Sequence, residues 1–327
     1  TDSIIGTNSA NVWSITNDNA GTVSSSLGDM DFSSFGNLLG GGSTDSFGFS
    51  DGAGISGSVN GGAGTDTISM AGSTSAVTFN ISTNNGGSVT SGLVTYTFAG
   101  MENLTGSSNN DTFTLANAKT ISGTLNGGGG SDTLNYGAFT TAVRVNLAQD
   151  AAANVKGGAS GGALNFENII GGSGNDILIG NSAVNTLTGN GGNDILVGNA
   201  GNDILVGNAG RDILLGGNDA DTMDGGTEDD LLIGGRTSYD NNLTALNNMM
   251  AEWGRTDATY AVRIAHLNGS LVAGNRNGTA VLNASNVFAD SANDSITGGA
   301  GVDWFLSLAS DINIDLNTGG TETSTAL

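Results

Sequence analysis

From Gly171 to Ile233 the chain divides, without an insertion, into consecutive frames of nine residues: GGSGNDILI, GNSAVNTLT, GNGGNDILV, GNAGNDILV, GNAGRDILL, GGNDADTMD and GGTEDDLLI. Position one is always glycine, position six is Asp or Asn, and position eight is Leu or Met. A nine-residue unit has too little apolar surface to form a core alone, so a period this strict requires that units stack on one another. The first six residues are of the kind that tolerates the positive φ of a tight turn. The last three form a short aliphatic strand whose position-eight side chain points inward by period-two alternation. Two frames close one flattened coil. Frames beginning at 171, 189, 207 and 225 therefore stack on one edge and those at 180, 198 and 216 on the other, with strands about 4.8 Å apart.

Single frames recur outside the array: GGAGTDTIS at 61–69, GGGGSDTLN at 127–135 and GGAGVDWFL at 298–306. A longer repeat underlies the N-terminal half. Residues 32–81 align without gaps on 98–147, matching Phe32 with Phe98, Asn37 with Asn103, Asp45 with Asp111 and Asp66 with Asp132. The expected organisation is two long solenoid units at 1–81 and 82–165, the nonapeptide array at 166–235, a helical cap region at 236–289, and a terminal frame at 290–327. The expected fold class is all-β, a parallel β-roll or β-solenoid with a small α-helical cap.

Composition agrees with stacking and removes other classes. Glycine supplies 56 of 327 residues, and there is neither proline nor cysteine. About 16 prolines would be ordinary at this length. Their absence suits a fold in which nearly every backbone N–H pairs with a neighbouring strand. Without cysteine there is no disulfide scaffold, and without proline no collagen helix. Lys and Arg number 8 against 31 Asp and Glu, a formal charge of −23, so a nucleic-acid footprint is excluded. No apolar run reaches the length that spans a membrane as a helix. The chain begins at Thr1 with no signal segment before it, which reads as a processed product or an excised piece.

Stacking creates an electrostatic conflict. Asp176, Asp194, Asp212 and Asp230 would line one edge at about 5 Å intervals, each neighbouring pair repelling by roughly 1–3 kcal/mol. A divalent cation between successive turns reverses the sign. Carboxylate and carbonyl oxygens are hard donors, and six to eight of them suit Ca²⁺ better than Zn²⁺ or copper.

These frames resemble the RTX (repeats in toxin) family, whose parallel β-roll carries the Ca²⁺-binding nonapeptide GGxGxDxUx. The resemblance is close over 171–233 and extends singly to the frames at 61, 127 and 298. It implies several Ca²⁺ ions held by the position-six residues Asp176, Asn185, Asp194, Asp203, Asp212, Asp221 and Asp230, and by Asp66, Asp132 and Asp303 of the single frames, together with turn carbonyls. It also implies type I export as an unfolded chain followed by folding in calcium-rich medium. Asn185 departs from the pattern, Arg211 stands beside Asp212, and GGNDADTMD lacks the glycine at position four, where Asp219 adds a carboxylate.

After Gly235 the pattern changes. Leu243, Leu246, Met250 and Trp253 make a helical stripe. Asp257 reads as the N-cap of a second helix bearing Tyr260, Ile264 and Leu267 and ending at Gly269. The pair is expected to shield the array, because a solenoid end exposes unpaired backbone. The closing segment, about 298–327, resembles the terminal block of large bacterial RTX surface proteins and is the place for an export signal.

Catalysis finds little support. His266 is the only histidine, which excludes HExxH and any two-histidine zinc site, and it reads as a surface or cap residue. Gly158-Ala-Ser160-Gly-Gly162 fits GxSxG only as a chance match in a Gly/Ser-rich loop. The expected function is non-enzymatic: a calcium-binding, extracellular structural protein of a bacterial surface, matrix or filament. Self-association or other surface-layer components would be its partners, with no nucleic acid and no membrane span. The alternatives are the secretion and folding tail of an RTX enzyme or toxin, and an adhesin that grips a glycan or cell surface.

Overall fold

The computed structural model describes residues 2–307, 311–313 and 323–326. It comprises two compact units, Thr1–Ala138 with Gln149–Asn168, and Phe139–Ala148 with Ile169–Leu327.

In the C-terminal unit, successive frames deliver strands alternately to two parallel sheets. One contains Ile177–Ile179, Ile195–Ala200, Ile213–Asn218, Leu231–Ile233 and Trp304–Ser307. The other contains Thr186–Gly191, Ile204–Ala209, Thr222–Thr227 and Ser295–Ala300. Pairing follows the 18-residue spacing read from the sequence: Ile177 lies beside Ile195, Ile195 beside Ile213, and Ile213 beside Leu231. The position-eight side chains Leu178, Leu187, Leu196, Leu205, Leu214, Met223 and Leu232 are all buried. After Leu231 and Thr222 the ladder continues to Trp304 and Ser295. The intervening chain is thus an insertion into one frame, and it is closed at its base by antiparallel pairing of Arg236–Thr237 with Val287–Phe288.

The insertion carries two helices, α1 (Leu243–Trp253) and α2 (Tyr260–Leu267). The apolar stripe holds for α1, where Leu246, Met249 and Trp253 are buried. The expected cap at Asp257 does not. Thr259 caps α2 by accepting from the Val262 N–H, while Asp257 is held by Arg255 at 2.8 Å and Arg276 at 2.8 Å. The helices also cover a sheet face rather than the end of the stack. Leu246, Met249, Trp253 and Leu267 pack on Ile195, Val197, Ile213, Leu215, Leu231, Ile233, Trp304 and Leu306. The reason lies in the frames that feed this sheet: their strands are apolar at all three positions, so both faces need cover. The other sheet presents Thr186, Thr188, Thr222, Asp224, Ser295 and Thr297 between its buried residues, with Ile204 and Val206 as the apolar exception, and has less such need.

The N-terminal unit is also built of two sheets with mainly parallel pairing. Asn37–Gly41 pairs with Ser58–Gly62 and Asp45–Ser50 with Thr67–Gly72, each at a 21-residue step. Longer rungs carry antiparallel extensions, Asn11–Asn17 with Ala20–Ser25 and Gly28–Ser33, and Val77–Thr83 with Gly86–Ser91 and Val94–Ala99. Aromatic side chains stack between paired strands, Trp13 on Phe47 at 5.4 Å and Phe79 on Phe113 at 4.7 Å. The 66-residue repeat spans an odd number of sheet crossings. Equivalent strands therefore fall in opposite sheets, Asn37–Gly41 in one and Asn103–Thr105 in the other.

Candidate metal centre

Each turn begins at a glycine and ends at an acid or amide five residues later, and the strand that follows fixes the acid's position in the stack. The position-six side chains turn inward and are essentially inaccessible: Asp194, Asp212 and Asp230 are each 0% exposed, and Asp176 and Asp203 1%. They form two ladders. On the first, the Asp176 N–H donates to Asp194 Oδ1 at 2.6 Å, Asp194 to Asp212 at 2.7 Å, Asp212 to Asp230 at 2.8 Å and Asp230 to Asp303 at 2.8 Å. On the second, Asn185 donates to Asp203 at 2.7 Å, Asp203 to Asp221 at 2.8 Å and Asp221 to Asp294 at 2.9 Å.

One oxygen of each carboxylate is thus used by the backbone of the rung before it. The other is not. Oδ2 of Asp194, Asp203, Asp212, Asp221, Asp230 and Asp294 is buried without a hydrogen-bond partner among the described residues. Each of these oxygens faces the first glycine of its own frame, and for the five within the array the first-glycine carbonyl of the next rung converges on the same spot. Asp212 Oδ2 and Gly225 O, for example, meet where a side chain on Gly207 would begin. The invariant glycine therefore keeps open a cradle of oxygen atoms.

Two frames of the array are closed instead. The Gly172 N–H donates to Asp176 Oδ2 at 2.7 Å and the Asn181 N–H to Asn185 Oδ1 at 2.8 Å. Position two distinguishes the states. It is left-handed at Asn190, Asn199, Asn208, Gly217 and Gly226, which turns its N–H away from the acid. Asp219 and Glu228 adopt the left-handed conformation at position four without glycine, with φ of 74° and 75°. Asp219 sends its carboxylate to the Gly201 N–H. Arg211 points to Arg255 O and to Asp229, not along the ladder.

Burial without a cation suppresses ionisation. It pushes Asp230 up to about 10, Asp194 to about 9 and Asp221 to about 8, and Asp203 and Asp212 to about 7. Neighbouring carboxylates push further in the same direction, and the N–H donated by the previous rung opposes them. A bound cation would stabilise the charged forms and release the protons.

Among the described residues no three His, Cys, Asp or Glu side chains gather into one cluster. Any ion here takes at most a carboxylate or two and completes its shell with carbonyls. This hard, oxygen-only and irregular set matches Ca²⁺. Compared with known protein families, the chain matches the RTX calcium-binding nonapeptide repeat (4 copies) over residues 124–140, 165–196, 197–232 and 285–309. The region from 124 to 309 is an RTX repeat region. Its RTX repeats bind Ca²⁺. No curated protein is similar enough to add an activity or a partner.

Asp66 and Asp132, also named from sequence, are buried and sit in the N-terminal unit. Sequence reading missed Asp294. It occupies the sixth place of the frame that Gly234 opens, and the insertion separates the two by most of its own length. It also missed Asp45 and Asp111. The signal was there, a glycine five residues earlier at Gly40 and Gly106, but the surrounding frames lack the Leu-centred strand of the array. His266 is a cap residue and not a surface one, 2% exposed, with Nδ1 at 2.7 Å from Glu252 Oε1. Ser160 Oγ donates to Gln149 O. Among the described residues no helix is long and apolar enough to cross a membrane.

Proposed function

We propose that this chain is a calcium-folded structural module of an extracellular bacterial surface, matrix or filament protein. In this reading the two sheets of each unit close into a β-roll around the position-eight side chains. Asp194, Asp203, Asp212, Asp221, Asp230 and Asp303 serve as ligands. Asp176, Asn185 and Asp219 contribute at the weaker turns, and Asp66 and Asp132 in the N-terminal unit. The segments 1–81, 82–165, 166–235, 236–289 and 290–327 are proposed as successive folding segments. The export signal proposed within 298–327 falls partly outside the described residues, which there are 298–307, 311–313 and 323–326.

The observation that carries the reading is the row of buried carboxylate oxygens without partners, each aimed at a first glycine. Such a row opposes folding unless a cation fills it. One carboxylate per rung gives a low ligand charge, the regime in which extracellular modules bind Ca²⁺ at about 10⁻⁴–10⁻³ M. Calcium then acts as the folding switch, since at a hundredfold excess over Kd each site adds about 2.7 kcal/mol. Self-association through strand edges at the ends of the stack would build the larger layer or filament.

Far-UV circular dichroism with and without EDTA tests the switch. A β-spectrum and melting temperature unchanged by chelation would sink it. Electron microscopy in both conditions tests assembly, for which uniform monomers throughout would count against the proposal.

A further inference from the structure

We propose that a recess where the insertion meets the array is a saccharide-binding pocket, and that its ligand is a uronic-acid residue of an acidic polysaccharide. The inference goes beyond the calcium reading and uses none of the ladder acids.

The recess, about 310 Å³, lies between the C-terminal end of α1 and the turns that carry Asn175 and Asn193. That volume is at the small end of the roughly 300–1,000 Å³ usual for small-ligand sites. Its wall includes Met250, Gly254, Arg255 and Arg276, and none of its eight lining residues is acidic. With 31 Asp and Glu against 8 Lys and Arg, such a wall runs against the charge of the whole chain.

Both sides of the recess supply donors that nothing else uses. Asn175 and Asn193 hold position five of successive rungs on one edge. Asn175 Oδ1 accepts the Asn193 N–H at 2.9 Å, and Asn193 Oδ1 accepts the Arg211 N–H at 3.0 Å. Those bonds orient the amides, and neither Nδ2 group has an acceptor among the described residues. The rung spacing sets the two about 4.8 Å apart. Across the recess, Arg276 is half in solvent at 49% exposure and donates from Nη2 to Asp257 Oδ2 at 2.8 Å. Its Nε and Nη1 have no acceptor among the described residues. Arg255 is fully engaged by Asp257, Glu252 and the Gly274 carbonyl and acts only as a fixed positive charge.

Gly254 separates this recess from a packing gap. Its φ is −74°, which any residue adopts, so the backbone does not call for glycine there. Space does. A Cβ at Gly254 would lie 2.6 Å from Asn193 Nδ2 and 3.2 Å from the Met250 carbonyl.

These groups together select the ligand. The free edge of the Arg276 guanidinium suits a carboxylate, and the two amides donate to hydroxyl oxygens. Met250 offers apolar contact to the C–H face of a sugar ring. The last carbonyls of α1 carry partial negative charge, which disfavours a bare inorganic anion but accepts hydroxyl donors. A sugar bearing hydroxyls and one carboxylate meets all of these conditions.

The test uses the full chain in saturating Ca²⁺, with sodium glucuronate as the probe and glucose and sodium sulfate as controls. Glucuronate should shift the side-chain amide NMR signals of Asn175 and Asn193 saturably, and bind about tenfold or more tightly than either control. Arg276→Gln keeps the backbone N–H that donates to Glu252 Oε2. It should weaken glucuronate by about tenfold or more and leave the melting temperature unchanged. Gly254→Ala fills the recess from a helical φ and should abolish the shifts. Sulfate binding as tight as glucuronate overturns the saccharide assignment, and so does glucuronate binding that Arg276→Gln leaves unchanged. No saturable shift at Asn175 and Asn193, or one that survives Gly254→Ala, refutes the pocket itself.

Discussion

The backbone N–H of Asp194 donates to Oδ1 of Asp212 at 2.7 Å and leaves Oδ2 of Asp212 buried with no donor beside it among the described residues. That one relationship contains both halves of the stack's behaviour. The hydrogen bond sets the rung spacing and joins turns 18 residues apart. The idle oxygen makes the same turn unfavourable when the carboxylate is charged and alone.

The first prediction is an inverted pH dependence in the metal-free protein. Asp194, Asp221 and Asp230 titrate at about 9, 8 and 10 when folded, well above the usual carboxylate value of about 4 when unfolded. A raised folded value gives stability that is fully present below about pH 4 and is lost as pH rises through the folded values. In EDTA the melting temperature of the C-terminal unit should therefore fall between pH 5 and pH 8, by roughly 5 °C or more. In saturating Ca²⁺ the ionised carboxylates are the ligands, and stability should fall toward acid instead. A metal-free melting temperature that rises from pH 5 to pH 8 would contradict this account.

The glycines of one frame should divide sharply. A Cβ on Gly189 would meet Asp194 Oδ2 and the Gly207 carbonyl inside van der Waals contact, both part of the ladder itself. On Gly191, two residues later, the nearest atom would be 3.7 Å away. Gly189→Ala is expected to destabilise by about 3 kcal/mol through overpacking and to weaken Ca²⁺ binding. Gly191→Ala should stay within about 0.5 kcal/mol of the parent. Urea denaturation of the two variants in Ca²⁺ decides it, and equal midpoints would remove the cradle from the explanation.

Much of the array could be read from its sequence because a nine-residue period links backbone and side chain at every step. Gly171 to Ile233 gave the 18-residue pairing, the buried position-eight residues and the acids of the ladder. What escaped depended on contacts distant in the chain. Asp294 belongs with Gly234 only once the insertion is folded out of the way. Asp45 follows Gly40 at the right distance, but its frame lacks the Leu-centred strand that marks the others. The placement of the helices was legible and was passed over. ILI, ILV, ILL and LLI at 177, 195, 213 and 231 are apolar throughout, whereas TLT and TMD at 186 and 222 alternate and only ILV at 204 breaks the contrast. The sheet whose strands are all apolar is the covered one.

It also yields a prediction. Replacing residues 238–286 by a short turn between Thr237 and Val287, which are register partners, leaves the ladder continuous but bares Ile195, Val197, Ile213, Leu215, Leu231 and Ile233. Such a patch favours association. The shortened chain should aggregate in Ca²⁺ by light scattering. Substituting threonine at Val197, Ile213 and Leu215, after the pattern of the uncovered sheet, should restore solubility. A monodisperse shortened chain would show that the helices are not needed as cover.

The insertion is also latched by charge. Arg263 is 2% exposed, lies 4.6 Å from the Trp253 ring and pairs with Asp229, the residue before the ladder acid Asp230. Asp229 Oδ1 accepts the Val302 N–H and its carbonyl accepts Trp253 Nε1–H at 2.9 Å, so one residue ties the insertion to two turns of the stack. Asp229→Asn leaves the guanidinium buried without its counter-charge, at a cost of about 3 kcal/mol. Arg263→Met instead replaces the charge by an apolar chain of similar reach and should cost less. The double variant should recover part of the loss of Asp229→Asn, because the buried Arg263 charge is then gone and only the more exposed Arg211 has lost its carboxylate. The expected readout is faster hydrogen exchange in α1 and α2 with little change in the strands from Ile177 to Leu215. Additive losses in the two single variants would show that the pair contributes no coupling and that Trp253 and its apolar neighbours hold the insertion by themselves.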